Sequence, residues 1–430
     1  MIQNHMLSYL KGIVLGVAVL CAATGVQAQS YAYESVKGDP MQSRIYTLKN
    51  GLKVFISVNK EKPRVQAYIA VHTGSRNDPA ETTGLAHYLE HIMFKGTNHF
   101  GTSNYAAEKP YLDDIEARYE AYRKVTDPAM RKKLYHEIDS VSQLAAQYNI
   151  PNEYDKMMAN IGGEGVNAYT SNDVTCYHLN FPANELEAWA KIESDRFQNM
   201  VVRGFHTELE SVYEEYNISL ASDSHKVSAA MNKMLFPTHP YGTQTTIGVG
   251  DHLKNPSITN IKNYFKKYYV PNNVAICLAG DLDPDKAMAT IEKYFGNWKS
   301  YGEVQTPQYP ALAPITAPME TTVVGKEAAM VRMGWRAERN NSLQADTLNL
   351  ISEVLANGTA GMFDLDLNSK FKVQGAYAFY NGLSEYGSFE LIGVPNQGQS
   401  LKEVRSIMLA EIDKLKKGEF SDELLSSIIN

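Results

Sequence analysis

Three side chains in one short segment, His87-Tyr88-Leu89-Glu90-His91, have the types and spacing to hold a metal ion and put it to use. On an α-helix, positions i, i+3 and i+4 lie on one face about a turn apart, so His87, Glu90 and His91 project together. Two neutral imidazoles suit zinc, and a carboxylate beside them can take a proton from a zinc-bound water. Such a site needs a third protein ligand and an open fourth position for the water. The donor region that fits is Glu208-Leu-Glu-Ser-Val-Tyr-Glu-Glu215, where Glu208 and Glu215 are seven residues apart and share a helical face. The string alone is weak: a His-x-x-Glu-His pattern arises by chance in roughly one chain in fifty of this composition. A solvated helix face explains either segment taken separately. The setting favours chemistry, because Leu85, Leu89, Ile92 and Met93 are core-forming at helical spacing and leave the polar triple facing a cavity or another helix.

The elements that must position these groups follow from periodicity. Arg44-Ile-Tyr-Thr-Leu and Leu52-Lys-Val-Phe-Ile-Ser predict a hairpin around Asn50-Gly51, and Val65 to Val71 a third strand. Thr82 or Thr83 is the expected cap of the histidine helix. Helices are expected over 106–123 and 128–148, split by Asp127-Pro128, then strands over 168–171 and 175–181 and helices over 183–198 and 207–221. The same order recurs from 328 onward: a strand, a helix over 342–356, strands over 376–380 and 388–394, and a helix over 401–416. Aligning Gly96 with Gly358 and Phe205 with Phe420 brings the two copies into step, except that 67 residues separate Gly96 from Gly163 and 17 separate Gly358 from Gly375. The excess of 50 is read as a helical-hairpin insertion in the first copy. The fold class expected is α+β: a tandem repeat of two α/β-sandwich domains, each an antiparallel-rich sheet packed on helices. The boundaries expected are a first domain at 39–299 with its insertion at about 104–152, a Pro-rich linker at 300–318, and a second domain at 319–430. That second copy ends opposite Glu215, which reads as truncation inside the domain. Opposite His87, Glu90 and His91 it carries Asn349, Ser352 and Glu353, and opposite Glu215 it carries Asn430, so the metal site belongs to one copy only.

Composition sets the class. With 44% hydrophobic and 21% charged residues and a net charge of -7, the chain is globular and unsuited to binding nucleic acid. Lys11, the apolar run Ile13 to Ala23 and Val26-Gln27-Ala28 predict a leader cleaved after Ala28, hence an exported protein, periplasmic or envelope-associated. That run is too short to span a bilayer, and the mature chain has no transmembrane segment. Cys176 and Cys277 sit in apolar strand-like runs and are expected as buried free thiols.

The segment Gly84-Leu-Ala-His-Tyr-Leu-Glu-His-Ile-Met-Phe-Lys-Gly-Thr97 resembles the signature of the pitrilysin/insulinase family, whose His-x-x-Glu-His reverses the usual zincin order. Gly162 to Ser171, Glu193-Ser-Asp-Arg196, Tyr269-Val-Pro-Asn-Asn273 and Gly280-Asp281 share the resemblance. It implies one Zn2+ on His87, His91 and Glu215, with Glu90 as general base and Glu208 orienting the site. It also implies that Asn167, Ala168, Tyr169 and Thr170 form an edge strand on which a substrate peptide lies. The implied activity is zinc-dependent endopeptidase, acting on peptides or unfolded segments. Its partner is a second peptidase half, fused or separate, that supplies Arg and Tyr groups; the alternative is a peptide-binding subunit inactive by itself. Between His91 and Glu215 lie 123 residues where most members have about 75, a difference matched by the insertion. Glu214 lies about 100° round the helix from the Glu208 face, which favours Glu215. The inserted hairpin itself is expected either to pack on the domain surface or to act as a lid over a chamber.

Overall fold

The computed structural model describes residues 31–300 and 302–429; the expected leader at 1–28 and Asn430 lie outside them. The first unit is built on strands β1 (Arg44–Thr47), β2 (Lys53–Val58), β3 (Arg64–Val71), β4 (Glu164–Thr170), β5 (Thr175–Pro182) and β6 (Val274–Gly280), in the spatial order β1-β2-β6-β3-β5-β4. All neighbours pair antiparallel except β2 with β6. Period-two alternation buries Val65, Ala67, Ile69 and Val71 of β3 on one face, continued by Ile276 and Leu278 of β6 and by Tyr177, Leu179 and Phe181 of β5. Helices cover that face. The hairpin between β1 and β2 turns at Asn50-Gly51 as the sequence predicts. Gly51 has φ +89°, and a Cβ there would come within 2.7 Å of the Asn272 side chain.

The helices of this unit are α1 (Leu85–Ile92), α2 (Tyr105–Tyr122), α3 (Pro128–Ala146), α4 (Glu153–Asn160), α5 (Leu186–Asn199), α6 (Phe205–Ala221), α7 (Asp223–Leu235), the short α8 (Pro240–Thr243) and α9 (Gly250–Leu253), α10 (Ile258–Tyr268) and α11 (Pro284–Phe295). The second unit has α12 (Leu343–Leu355), α13 (Leu401–Lys416) and α14 (Asp422–Ile429) with a sheet of β7 (Val331–Ala337), β8 (Gly375–Gly382) and β9 (Gly387–Val394) in the order β7-β9-β8. The architecture is thus α+β, with two open sheets packed on helices. The chain already packs on the first unit ahead of the expected boundary at 39: Tyr31 donates its hydroxyl to Glu292 at 2.8 Å, and Glu34 bridges to Ile45.

Two local expectations need correction. Neither Thr82 nor Thr83 caps α1. Gly84 occupies the cap position with φ +82°, and the Asp78 carboxylate accepts the N–H groups of Gly84 (2.8 Å), Leu85 (3.2 Å) and Ala86 (2.9 Å). A Cβ on Gly84 would meet the Ile247 carbonyl at 2.7 Å, so the backbone there has no room for a threonine's role. Thr83 instead places its hydroxyl 2.8 Å from Nδ1 of His252. No helix is expected from the sequence at α4 or at α7 to α11. The first has only eight residues, and α7 follows α6 after the single residue Ser222, which caps it by accepting the His225 N–H.

The units meet through a buried polar cluster. Arg76, 3% exposed, lies between Asp173 in the β4–β5 turn (3.0 Å) and Glu385 in the β8–β9 turn (2.6 Å). Tyr241 donates its hydroxyl to Asp173, and His239 bonds to Glu385 at 3.0 Å. The turn that ends β4 is therefore held by the second unit. Cys176 and Cys277 are free thiols, as expected; Cys176 is buried, whereas Cys277 is half-buried rather than buried.

Candidate metal centre

Helix α1 turns Leu85, Leu89 and Ile92 into the core, and the remaining stripe faces α6 and β4. The structure brings His87, His91 and Glu215 together, with one donor atom from each within 4.8 Å of the others. His87 Nε2 and His91 Nε2 are 3.2 Å apart, and the Glu215 carboxylate lies 3.4 Å from the first and 3.7 Å from the second. Donors bound tetrahedrally at about 2.05 Å are separated by about 3.3 Å, so the observed spacings fit zinc. Glu214 turns elsewhere, its carboxylate accepting from Asn217.

Glu208 lies beside His91 rather than in the donor cluster. Its Oε1 is 2.9 Å from His91 Nδ1, which in the neutral imidazole places the hydrogen on Nδ1 and leaves Nε2 a lone pair facing His87 and Glu215. Lys95 pairs with the other Glu208 oxygen. Burial works to raise the Glu208 carboxyl, but bonds from His91 and Lys95 bring it below its ordinary range. Burial, with the neighbouring His91, pushes His87 down to about 4, so it is a neutral donor at neutral pH. For His91 burial acts downward too, yet Glu208, Glu215 and Glu90 outweigh it and hold the group above its ordinary value. Three carboxylates against two imidazoles and the Lys95 ammonium leave the pocket favouring further positive charge, which a divalent ion supplies. His87 Nδ1 is buried without a hydrogen-bond partner among the described residues.

Glu90 is 8% exposed, and burial raises its carboxyl although Thr170 and His91 pull it down, the direction that suits a base working near neutral pH. Thr170 donates its hydroxyl to Glu90 Oε2 at 2.7 Å. Thr170 and Ala168 lie on the α1 side of β4, whereas Asn167 and Tyr169 point to the other side and are exposed. β4 has β5 on one side and, among the described residues, no strand on the other. All of these groups line one open cleft of about 1330 Å³. Its far wall is α7 and the segment 241–249, including Asn232, Lys233 and Gln244. Sequence reasoning missed that wall, along with Lys95 and the bond from Thr170 to Glu90. Lys95, one turn beyond His91, had a usable signal in its spacing; the others join segments far apart in the chain.

Residues 53–123, which hold His87, Glu90 and His91, match the family model described as insulinase (peptidase family M16). Residues 257–430 match the model described as the peptidase M16 inactive domain, and Glu215 lies between the two matches. The chain is 23% identical over 425 residues to the zinc protease PqqE of Helicobacter pylori, covering 96% of this chain and 81% of that one. It is 23% identical over 393 residues to the uncharacterized zinc protease YmxG of Bacillus subtilis, covering 89% and 81%. Among solved structures, a protease from Helicobacter pylori superposes with a TM-score of 0.72 at 22% identity, covering 93% of this chain and 83% of that one. Pitrilysin superposes with a TM-score of 0.64 at 17% identity, over 92% of this chain and 39% of that one. The periplasmic protease PqqL of Escherichia coli does so at 0.63 and 17%, over 92% and 40%. At these identities the structural likenesses concern the fold.

Proposed function

We propose, from the premise that this chain belongs to the insulinase/pitrilysin family of peptidases, that it is a zinc-dependent endopeptidase acting on peptides or unfolded polypeptide segments. The observation that carries the proposal is the convergence of His87, His91 and Glu215 beside the buried Glu90 in one cleft. His87, His91 and Glu215 would hold one Zn2+, and Glu208 would keep His91 in the binding tautomer. Zinc, when bound, lowers the pKa of a coordinated water and polarises the scissile carbonyl. Glu90 takes the proton of the attacking water and returns it to the leaving amine, while the Thr170 hydroxyl holds one of its oxygens and leaves the other for the cleft. A substrate segment would lie along Asn167 to Thr170 as an added strand, which only an extended chain can do. Residues 39–299 would be the catalytic unit and 319–430 its scaffold.

Glu90→Gln tests the mechanism. The variant should keep zinc and lose turnover by about 10²- to 10⁴-fold, the usual contribution of a general base. Full activity in that variant would refute the assignment. His91→Ala should lose the metal, read by elemental analysis. A second reading is a subunit inactive in isolation; the chain spans about 40% of pitrilysin and of PqqL but 83% of the Helicobacter pylori protease. On that reading a second peptidase half completes the substrate chamber. Export to the periplasm is part of the proposal; the leader pattern at 1–28 supports it, and among the described residues no helix is long and apolar enough to cross a membrane.

A further inference from the structure

The inserted hairpin α2–α3 has no part in the reaction above, and none of residues 105–146 is among those lining the cleft. Its contacts lead elsewhere, to the start of the helix that carries Glu215. Arg203, two residues before α6, is 2% exposed and is paired with Glu108 of α2, itself fully buried: Nε lies 2.7 Å from one carboxylate oxygen and Nη2 2.9 Å from the other. The same guanidinium donates to the carbonyls of Lys95 and Thr97, both at 2.9 Å, on the segment that follows α1. Arg203 thus ties the end of the histidine helix to the start of α6, and among the described residues its charge is met only by Glu108. A second contact runs in parallel. Tyr119 of α2, fully buried, sets its hydroxyl 2.7 Å from His206 Nδ1 and its ring edge-on to Phe205 at 4.9 Å. Phe205 stacks on Tyr88, the neighbour of His87, at 4.7 Å, and the Tyr88 hydroxyl donates to the Phe205 carbonyl.

We propose that the inserted hairpin is a brace that fixes α6 against α1, with Glu108 and Tyr119 as positioning residues for the zinc ligand Glu215. The inference rests on the metal site proposed above. Its physical basis is the intolerance of a buried cation to losing its partner. Without the Glu108 charge, Arg203 must move toward water and carry the first turn of α6 with it. A helix transmits such a shift along its axis, and Glu215 lies on the rod that begins at Phe205, two residues after Arg203. Metal affinity depends on how the ligands are held, so affinity for the ion registers the shift before the fold does. A lid would instead border the cleft.

The test compares the full chain with Glu108→Gln, Glu108→Asp, Tyr119→Phe and, as control, Lys109→Ala, which removes an exposed pair with Asp113 on the same helix. Zinc affinity is read by competition with a chromophoric chelator, and ligand geometry by the visible absorption of the Co2+-substituted protein. The expected result is unchanged affinity in the Lys109 variant and about tenfold or greater weakening in Glu108→Gln, with an altered cobalt band. Glu108→Asp, which keeps the charge, should recover part of the loss, and Tyr119→Phe should weaken binding in the same direction. Should Glu108→Gln not fold, Glu108→Asp and Tyr119→Phe decide the matter by the same readouts. Folded variants with parental zinc affinity and an unchanged cobalt spectrum overturn the brace alone. A parent chain that takes up no zinc overturns the metal site and the brace with it.

Discussion

Replacing Asp78 with Ala would remove the group that holds the first turn of α1. Its carboxylate accepts three N–H groups, those of Gly84, Leu85 and Ala86, in a place where Asp78 is 5% exposed. These donors belong to the set that no helix carbonyl can satisfy. Loss of a capping side chain at an ordinary surface helix costs about 0.5–2 kcal/mol. Here the donors are buried, and each one left unpaired costs about 1–3 kcal/mol, so three set an upper bound of about 9 kcal/mol. Water entering the space vacated by the carboxylate restores part of this, and we expect a net loss of roughly 3–5 kcal/mol. That is a large share of a total stability of about 5–15 kcal/mol. His87 is the third residue of α1 and His91 the seventh, so fraying reaches one ligand before the other. Urea unfolding followed by circular dichroism, with a chelator present, isolates the fold; a zinc titration of the same protein in native buffer then reads the site. The expected outcome is a lowered midpoint together with weakened zinc binding, and partial recovery in Asp78→Asn, which keeps one acceptor. A loss below about 1 kcal/mol in the chelated protein would refute the reasoning, because it would mean that the three bonds contribute no more than an exposed cap.

Other outcomes follow from the same geometry. Glu215→Gln should lose zinc while Glu214→Gln keeps it, since Glu214 faces Asn217; metal analysis after dialysis separates the two, and equal retention would refute the choice of ligand. Chelation should lower the melting temperature of the parent chain and leave that of His91→Ala unchanged, because an ion that binds only the folded state stabilises it by mass action. His239 accepts the Tyr241 N–H at Nδ1 (3.2 Å) and bonds Glu385 through Nε2. Burial lowers its pKa against the pull of Glu385, so below its ordinary 6.5 the unfolded chain takes up a proton that the folded one resists. Stability should therefore fall as the pH drops through about 6.5, and less steeply in His239→Asn; identical slopes in urea titrations across that range would refute this.

Elements encoded by near neighbours were legible. Helix α13 spans Leu401–Lys416, as its periodicity predicts, with a capping box between Ser400 and Glu403 at its start. The hairpin predicted at 106–123 and 128–148 forms over Tyr105–Tyr122 and Pro128–Ala146, where Asp127 caps and Pro128 begins the second helix. The eight residues of α4 span barely two turns, too few to show a period, and Asn152 at its start makes no side-chain cap bond. The cap of α1 was misassigned because Asp78 lies six residues ahead of Gly84, behind two threonines that satisfy the local rule.

The centre divides along the same line. That His87, Glu90 and His91 share one face is a property of helical spacing, and the sequence by itself determined it. It also determined the alternation that gives the sheet one buried face. Only the tertiary structure decided that Glu215 turns toward the two imidazoles while Glu208 turns to His91 Nδ1, and that Thr170 reaches Glu90 across 80 residues of chain. It alone decided that Glu108 of the insertion meets Arg203 at the root of α6. The reason is physical: a helical or strand period is set by backbone geometry within a few residues, whereas these pairings depend on how finished elements pack, and packing is a property of the whole core.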